Sequence, residues 1–191
     1  MGSYADDALF MSRNNIEYVE LISDDGKSKV MVIPAWQGRV MTTSAAGDEG
    51  DSYGWINYSF IKKRQIDLQF NPVGGEERFW LGPEGGVFSL YFRQGEKQIY
   101  KNWKVPPVLD IEAFKIQSQS KNCICLTKEG CLTNACGTTF YLNIKRTISL
   151  LDINEFAASF NLEFPKDIKA VAYKSDNQIT NIGNESWNKE T

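Results

Sequence analysis

The sequence predicts an all-β protein, an antiparallel β-sandwich, on three observations. Apolar and polar residues alternate with a period of two along much of the chain, turn dipeptides separate the alternating runs, and no segment carries a helical period of useful length. Alternation sends one face of each strand into a core and the other into water. Two packed sheets bury all those apolar faces most economically.

In chain order, NIEYVELIS and KSKVMVIP flank Asp25-Gly26, a hairpin signal because glycine accepts the positive φ that such turns demand. Ile66, Leu68 and Phe70 alternate, as do Phe88, Leu90 and Phe92 ahead of a Gln94-Gly95 turn. Cys123 and Cys125 share one face of a strand, and Cys131 returns after a Glu129-Gly130 turn. Phe140, Leu142, Ile144, Ile148 and Leu150 alternate with Tyr141, Asn143, Lys145, Thr147 and Ser149. Residues 155–164 repeat the pattern with Phe156, Ala158, Phe160, Leu162 and Phe164, and Asp176-Asn177 supplies a last turn. Strands this long point to a broad antiparallel sheet rather than a small barrel. No linker interrupts the chain, so residues 1–191 are expected to form one domain, with 1–12 as a disordered leader.

Composition excludes several classes of function. Charged residues make up 24% and apolar residues 42%, which is ordinary globular material. The 21 basic and 24 acidic residues leave a net charge of −3, and the longest basic run, Lys62-Lys63-Arg64, is too short to track a phosphate backbone. Nucleic acid is therefore not an expected partner. No apolar run approaches the roughly 20 residues of a membrane-spanning helix. MGSYADDALF lacks the features of a signal peptide. Met1-Gly2-Ser3 reads as an appended leader, and a natural signal removed ahead of it would imply a periplasmic or extracellular protein. NIGNESWNKET ends the sequence just after Trp187 without a closing strand, so the chain is expected either to be truncated or to receive its terminal strand another way.

The four cysteines, Cys123, Cys125, Cys131 and Cys136, fall within a short stretch that contains no C-x-x-C pair, and the sequence has no histidine. Zinc is disfavoured by that spacing. Free or buried thiols are the leading expectation, with cross-strand disulfides as the alternative. Asp48, Glu49 and Asp51 do not have EF-hand spacing and read as a solvated loop. No metal site and no cofactor motif are expected.

The blocks QGRVMTTSAAG (37–47), GWIN (54–57), FNPVGGEERFWLGPEGGVFSLYF (70–92) and VAYKSDNQITNIGNESW (171–187) resemble an uncharacterised bacterial family of unknown function, itself similar to galactose mutarotase-like (aldose epimerase-like) proteins. That resemblance implies a β-supersandwich that binds sugars on the concave face of its large sheet. Mutarotases use a histidine acid, which no position here supplies. Ordinary aldose epimerisation is therefore not implied.

The segment GGEERFWLGPEGG (74–86) is the candidate site. Its glycines and Pro83 suit a bulged corner. The corner alone does not require Glu76, Glu77, Arg78, Trp80 and Glu84. Carboxylates and a guanidinium bond paired hydroxyls, and an indole stacks on the C–H face of a sugar ring. Glu76 and Glu84 are the pair with acid–base potential. Glu77, Arg78 and Trp80 are candidate ligand contacts. Arg39, after Gly38, is expected to reach either a ligand or an acidic partner, and Trp187 to edge a pocket. The expected function is saccharide binding, with sugar-directed catalysis as its extension. The alternative is a structural or protein-interaction module in which the segment locks a corner.

Overall fold

The computed structural model describes residues 2–165 and 167–189. Two antiparallel sheets dominate it. The first contains β1 (Val19–Ile22), β2 (Lys29–Ile33) and β3 (Arg39–Ser44) in that order. The second contains β4 (Lys115–Gln119), β5 (Cys123–Thr133), β6 (Thr139–Leu150) and β7 (Tyr173–Asn181), also in sequence order.

The sheets face each other across one core, to which Leu21, Val30, Val32 and Val40 contribute from one side and Ile124, Leu126, Ile144 and Ile148 from the other. The three-stranded sheet is covered on its second face as well. There Met31, Ile33 and Met41 pack with Tyr4 and Met11 of α1 (Tyr4–Arg13) and Ile61 of α2 (Tyr58–Lys63). Burial on both faces is why β2 reads as the unbroken run KVMVI rather than as an alternation. The four-stranded sheet keeps its alternation: Leu142, Ile144, Ile148 and Leu150 of β6 point inward.

The Asp25-Gly26 hairpin forms as expected, with Gly26 at φ 74° between β1 and β2. Other elements differ. Residues 2–12, expected to be a disordered leader, include most of α1, whose Ser3 and Asp6 form a capping box. Tyr4, Ala8 and Met11 supply the helical period that stakes it to the first sheet. The expected strand over 155–164 is instead α4 (Ile153–Ser159), nucleated by Asp152, whose carboxylate accepts from the Asn154 and Glu155 amides. The Ile66–Phe70 and Phe88–Phe92 alternations lie in irregular backbone, and Leu68 is 82% exposed.

Glu129-Gly130 is not a turn. It lies inside β5, paired with Asn143 and Leu142, and a Cβ at Gly130 would stand 2.9 Å from Val108 Cγ2. The chain turns later, at Asn134–Gly137, where the Asn134 and Thr138 backbones bond at 3.0 Å. Asp176-Asn177 is likewise interior to β7, opposite Thr147 and Arg146. All four cysteines are free thiols, Cys125 buried and Cys131 and Cys136 exposed. No helix among the described residues is long and apolar enough to cross a membrane.

Candidate functional site

The segment 74–86 begins by extending the first sheet. Val40 of β3 donates to Glu77 O at 3.0 Å and accepts from the Glu76 amide at 2.9 Å, so the segment lies along the free edge of β3. Gly74, at φ 99°, is required by close approach, since a Cβ there would come within 2.2 Å of Trp55 O. The corner that the glycines suggested is real, and it fixes where each polar side chain emerges.

Glu77 turns inward. Its carboxylate meets the guanidinium of fully buried Arg146, whose Nη1 donates to Glu77 Oε1 at 3.1 Å and whose Nη2 pairs with Oε2. Arg146 is satisfied all round: Nε donates to Gly38 O at 3.1 Å and Nη1 also to Asn177 Oδ1 at 2.8 Å. Ser175 donates to Glu77 Oε1 at 3.2 Å. One ion pair thus joins the corner of the first sheet to β6 and β7 of the second. Arg146 was not among the residues read as functional, although its signal is plain. It occupies the inward register between Ile144 and Ile148, where an apolar residue is expected.

Glu76 goes elsewhere, accepting from Thr43 Oγ1 at 2.9 Å. Burial raises its pKa, opposed by the bonds from Thr43 and Tyr173. Arg39 is buried and donates from Nη1 to Gly74 O at 2.6 Å, while its Nε and Nη2 have no protein partner. Burial first, and the charges of Arg78 and Arg146 after it, draw its pKa down to about 9, against Asp110 and Glu77. It remains a cation at neutral pH.

Arg78 is wedged against aromatic rings, its guanidinium carbon 4.0 Å from the Trp80 ring centre and 5.5 Å from that of Phe70. Its Nη2 donates to Leu109 O at 2.7 Å and lies 3.7 Å from Asp110 Oδ1. Asp110, at the end of α3 (Pro107–Asp110), is buried and accepts from the Asn71 side chain at 2.7 Å and its amide at 3.0 Å. Burial raises its pKa, and those bonds and the Arg78 charge work against the rise.

Trp80 starts a column of rings. It tilts 33° against Tyr91 at 5.2 Å, Tyr91 stacks within 5° on Trp103 at 5.5 Å, and Trp103 stacks within 12° on Tyr100 at 6.4 Å. Tyr91 is anchored by donation to Leu81 O at 2.6 Å. The indole N–H of Trp80 donates to Glu84 Oε1 at 2.8 Å. The column ends in solvent, because Tyr100 is 78% exposed. Glu84, Gly85, Phe92, Gln98, Tyr100 and Trp103 line an open cleft of about 510 Å³ at that end.

Of the residues singled out in the sequence, Glu84 alone lines this cleft, and Trp80 supports it from behind. Glu76 does not line it with Glu84. Glu77 and Arg78 are held by protein partners, and Arg39 meets one backbone carbonyl rather than an acidic side chain. Trp187 borders a different cavity, with Leu81 and Pro83. Tyr100 and Gln98 carry no signal in the sequence because no periodicity runs through their stretch, and Trp103 reads there only as a core or rim residue. Among the described residues no group of three or more His, Cys, Asp or Glu side chains is arranged to hold a metal ion. The model of a family of unknown function (DUF6786) matches residues 2–191. No curated protein and no solved structure matches the chain.

Proposed function

The chain thus belongs to a family without an assigned activity (DUF6786), and we propose that it binds saccharides in the cleft between Glu84 and Tyr100. The observation that carries this reading is the ring column, which ends in an exposed tyrosine that lines the same cleft as a carboxylate. A sugar ring offers an apolar C–H face to an aromatic platform and hydroxyls to a carboxylate. Tyr100 is held flat by Trp103, so little side-chain freedom is lost on binding. Glu84 is oriented by the Trp80 N–H.

The segment 74–86 therefore divides. Glu77 and Arg78 lock the corner, whereas Trp80 and Glu84 serve the ligand. We read the two antiparallel sheets as kin to the mutarotase-like supersandwich, a reading supported by their layering and by the sequence blocks named above. No reaction is assigned: the sequence holds no histidine, and Glu76 and Glu84 do not share the cleft.

Isothermal calorimetry after a glycan-array screen tests the proposal. Wild type is expected to bind at least one mono- or oligosaccharide, and Tyr100→Ala to lose tenfold or more in affinity, with Glu84→Gln weakened as well. Absence of binding to every glycan, or full retention by Tyr100→Ala, overturns it.

A further inference from the structure

A hollow of about 340 Å³ opens beside α1 and α2, with no lining residue in common with the Tyr100 cleft. Residues 52–56 form one wall, and their backbone is pinned. The Tyr53 amide donates to Thr43 O at 3.1 Å, the Gly54 amide to Thr42 Oγ1 at 2.9 Å, and Trp55 O accepts from the Gly75 amide at 2.8 Å. The chain bends at Gly54, where a Cβ would stand 2.1 Å from Met41 O. Ser52 and Ile56 turn into the protein, while Tyr53 and Trp55, flanking the bend, are 49% and 64% exposed. Tyr58 of α2 adds a third ring to the hollow. Among the described residues, neither Tyr53 nor Trp55 packs against another aromatic ring, so a rigid backbone displays two unengaged ring systems.

The charge beneath these rings is the second observation. Asp7 is buried at the base of the hollow, and its carboxylate accepts from Ser52 Oγ and Tyr58 Oη. Buried carboxylates are ordinarily matched by a cation. Asp7 makes no ion pair among the described residues. No described lysine or arginine lines the hollow, and Lys62, one turn along α2 from Tyr58, lies over the Phe10 ring at 5.8 Å instead. Burial, then the bond to Asp7, push the Tyr58 pKa up to about 12, so the phenol keeps its proton at neutral pH. That proton is committed to Asp7, which leaves Oη with only accepting capacity.

We propose that this hollow binds a small organic cation, an alkylammonium group that lies against the Trp55 and Tyr53 rings with Asp7 as its counter-charge. Aromatic faces attract a weakly hydrated cation through their quadrupole, and alkylated ammonium groups are the ligands such ring clusters recognise. Asp7 acts without touching the ligand, because attraction between charges extends beyond contact where little water screens it. A saccharide is a poorer fit here, since both Asp7 oxygens are buried under protein hydroxyls and neither is free to bond a sugar. The site does not depend on the saccharide reading of the Tyr100 cleft.

Choline and 3,3-dimethyl-1-butanol are the probes, the second matching the first in shape without its charge. Ligand-observed NMR on the full chain is expected to show saturable choline binding, with the alcohol about tenfold weaker or worse. Asp7→Asn is expected to bring choline down to the level of the alcohol. Because Asp7 sits in a buried network, Trp55→Ala serves as a second variant: the ring is exposed and its backbone bonds remain, so the protein stays folded while choline affinity falls about tenfold. Tyr100→Ala is expected to leave all of this unchanged. Phosphatidylcholine vesicles separate a free cation from a lipid headgroup, and the protein is expected to stay in the supernatant. Pelleting that depends on Trp55 overturns the assignment to a free molecule. Equal binding of the two probes, absence of saturable choline binding, or full choline binding by Trp55→Ala overturns the proposal as a whole.

Discussion

Glu77 and Glu84 belong to one glycine-framed segment, yet the fold uses them in opposite ways. Glu77 is drawn between the sheets, where a buried arginine, a serine and the β3 edge hold it. Glu84 stands at the rim of an open cleft with one indole N–H on it. Carboxylates that look alike in sequence therefore differ in what their removal exposes. Losing Glu77 strands a charge in the core; losing Glu84 changes only what the surface can bind.

The largest expected effect follows from the first half of that contrast. Glu77→Ala leaves the Arg146 guanidinium buried without its counter-charge, and breaking one partner of a buried pair costs about 3–5 kcal/mol. Chemical denaturation should show that loss, and thermal melting a fall of roughly 2–4 °C for each kcal/mol. A double replacement, Glu77→Leu with Arg146→Met, removes both charges and should recover most of the stability. If Glu77→Ala melts with wild type, the pair does not tie the sheets together.

The second half predicts a separation of readouts. Tyr100→Ala should cost tenfold or more in saccharide affinity, while its unfolding free energy stays within about 0.5 kcal/mol of wild type, as exposed substitutions generally do. A marked loss of stability would make the ring column a structural brace rather than a platform.

What could be read in advance follows the same division. β6 announced itself because its inward residues alternate, and the hairpin because Asp25-Gly26 demands a turn. Arg146 was legible in principle, as a cation in the inward register, but its partner lies far along the chain and no local pattern names it. α4 reads as a strand in the sequence because Phe156, Ala158 and Phe160 alternate over a window too short to separate the two periods. The Asp152 cap was the better signal. The cleft was half legible: Trp80 and Glu84 lie in a conspicuous segment, whereas Trp103 and Tyr100 join them only through tertiary stacking.

A smaller effect tests whether α1 belongs to the fold that carries this contrast. Ser3→Ala removes the side-chain acceptor of the Asp6 amide, held at 3.2 Å. Loss of such a cap typically costs about 1 kcal/mol. Denaturant unfolding should register that loss as one transition. An unchanged midpoint would mean that α1 is not part of the cooperative unit.

The smallest effect concerns Glu76, the carboxylate intermediate between the two extremes. Burial raises its pKa above the ordinary 4.5. A carboxyl whose pKa is raised on folding binds its proton more tightly in the native state. Its contribution to stability is therefore fully present below about 4.5 and declines as pH rises through the elevated native value. Glu76→Gln keeps an oxygen for the Thr43 hydroxyl and removes the titration. Between mildly acidic and neutral pH the variant should thus lose less stability than wild type as pH rises. Parallel stability curves for the two proteins would show that Glu76 is better hydrated than its burial implies, and would place it with Glu84 rather than with Glu77.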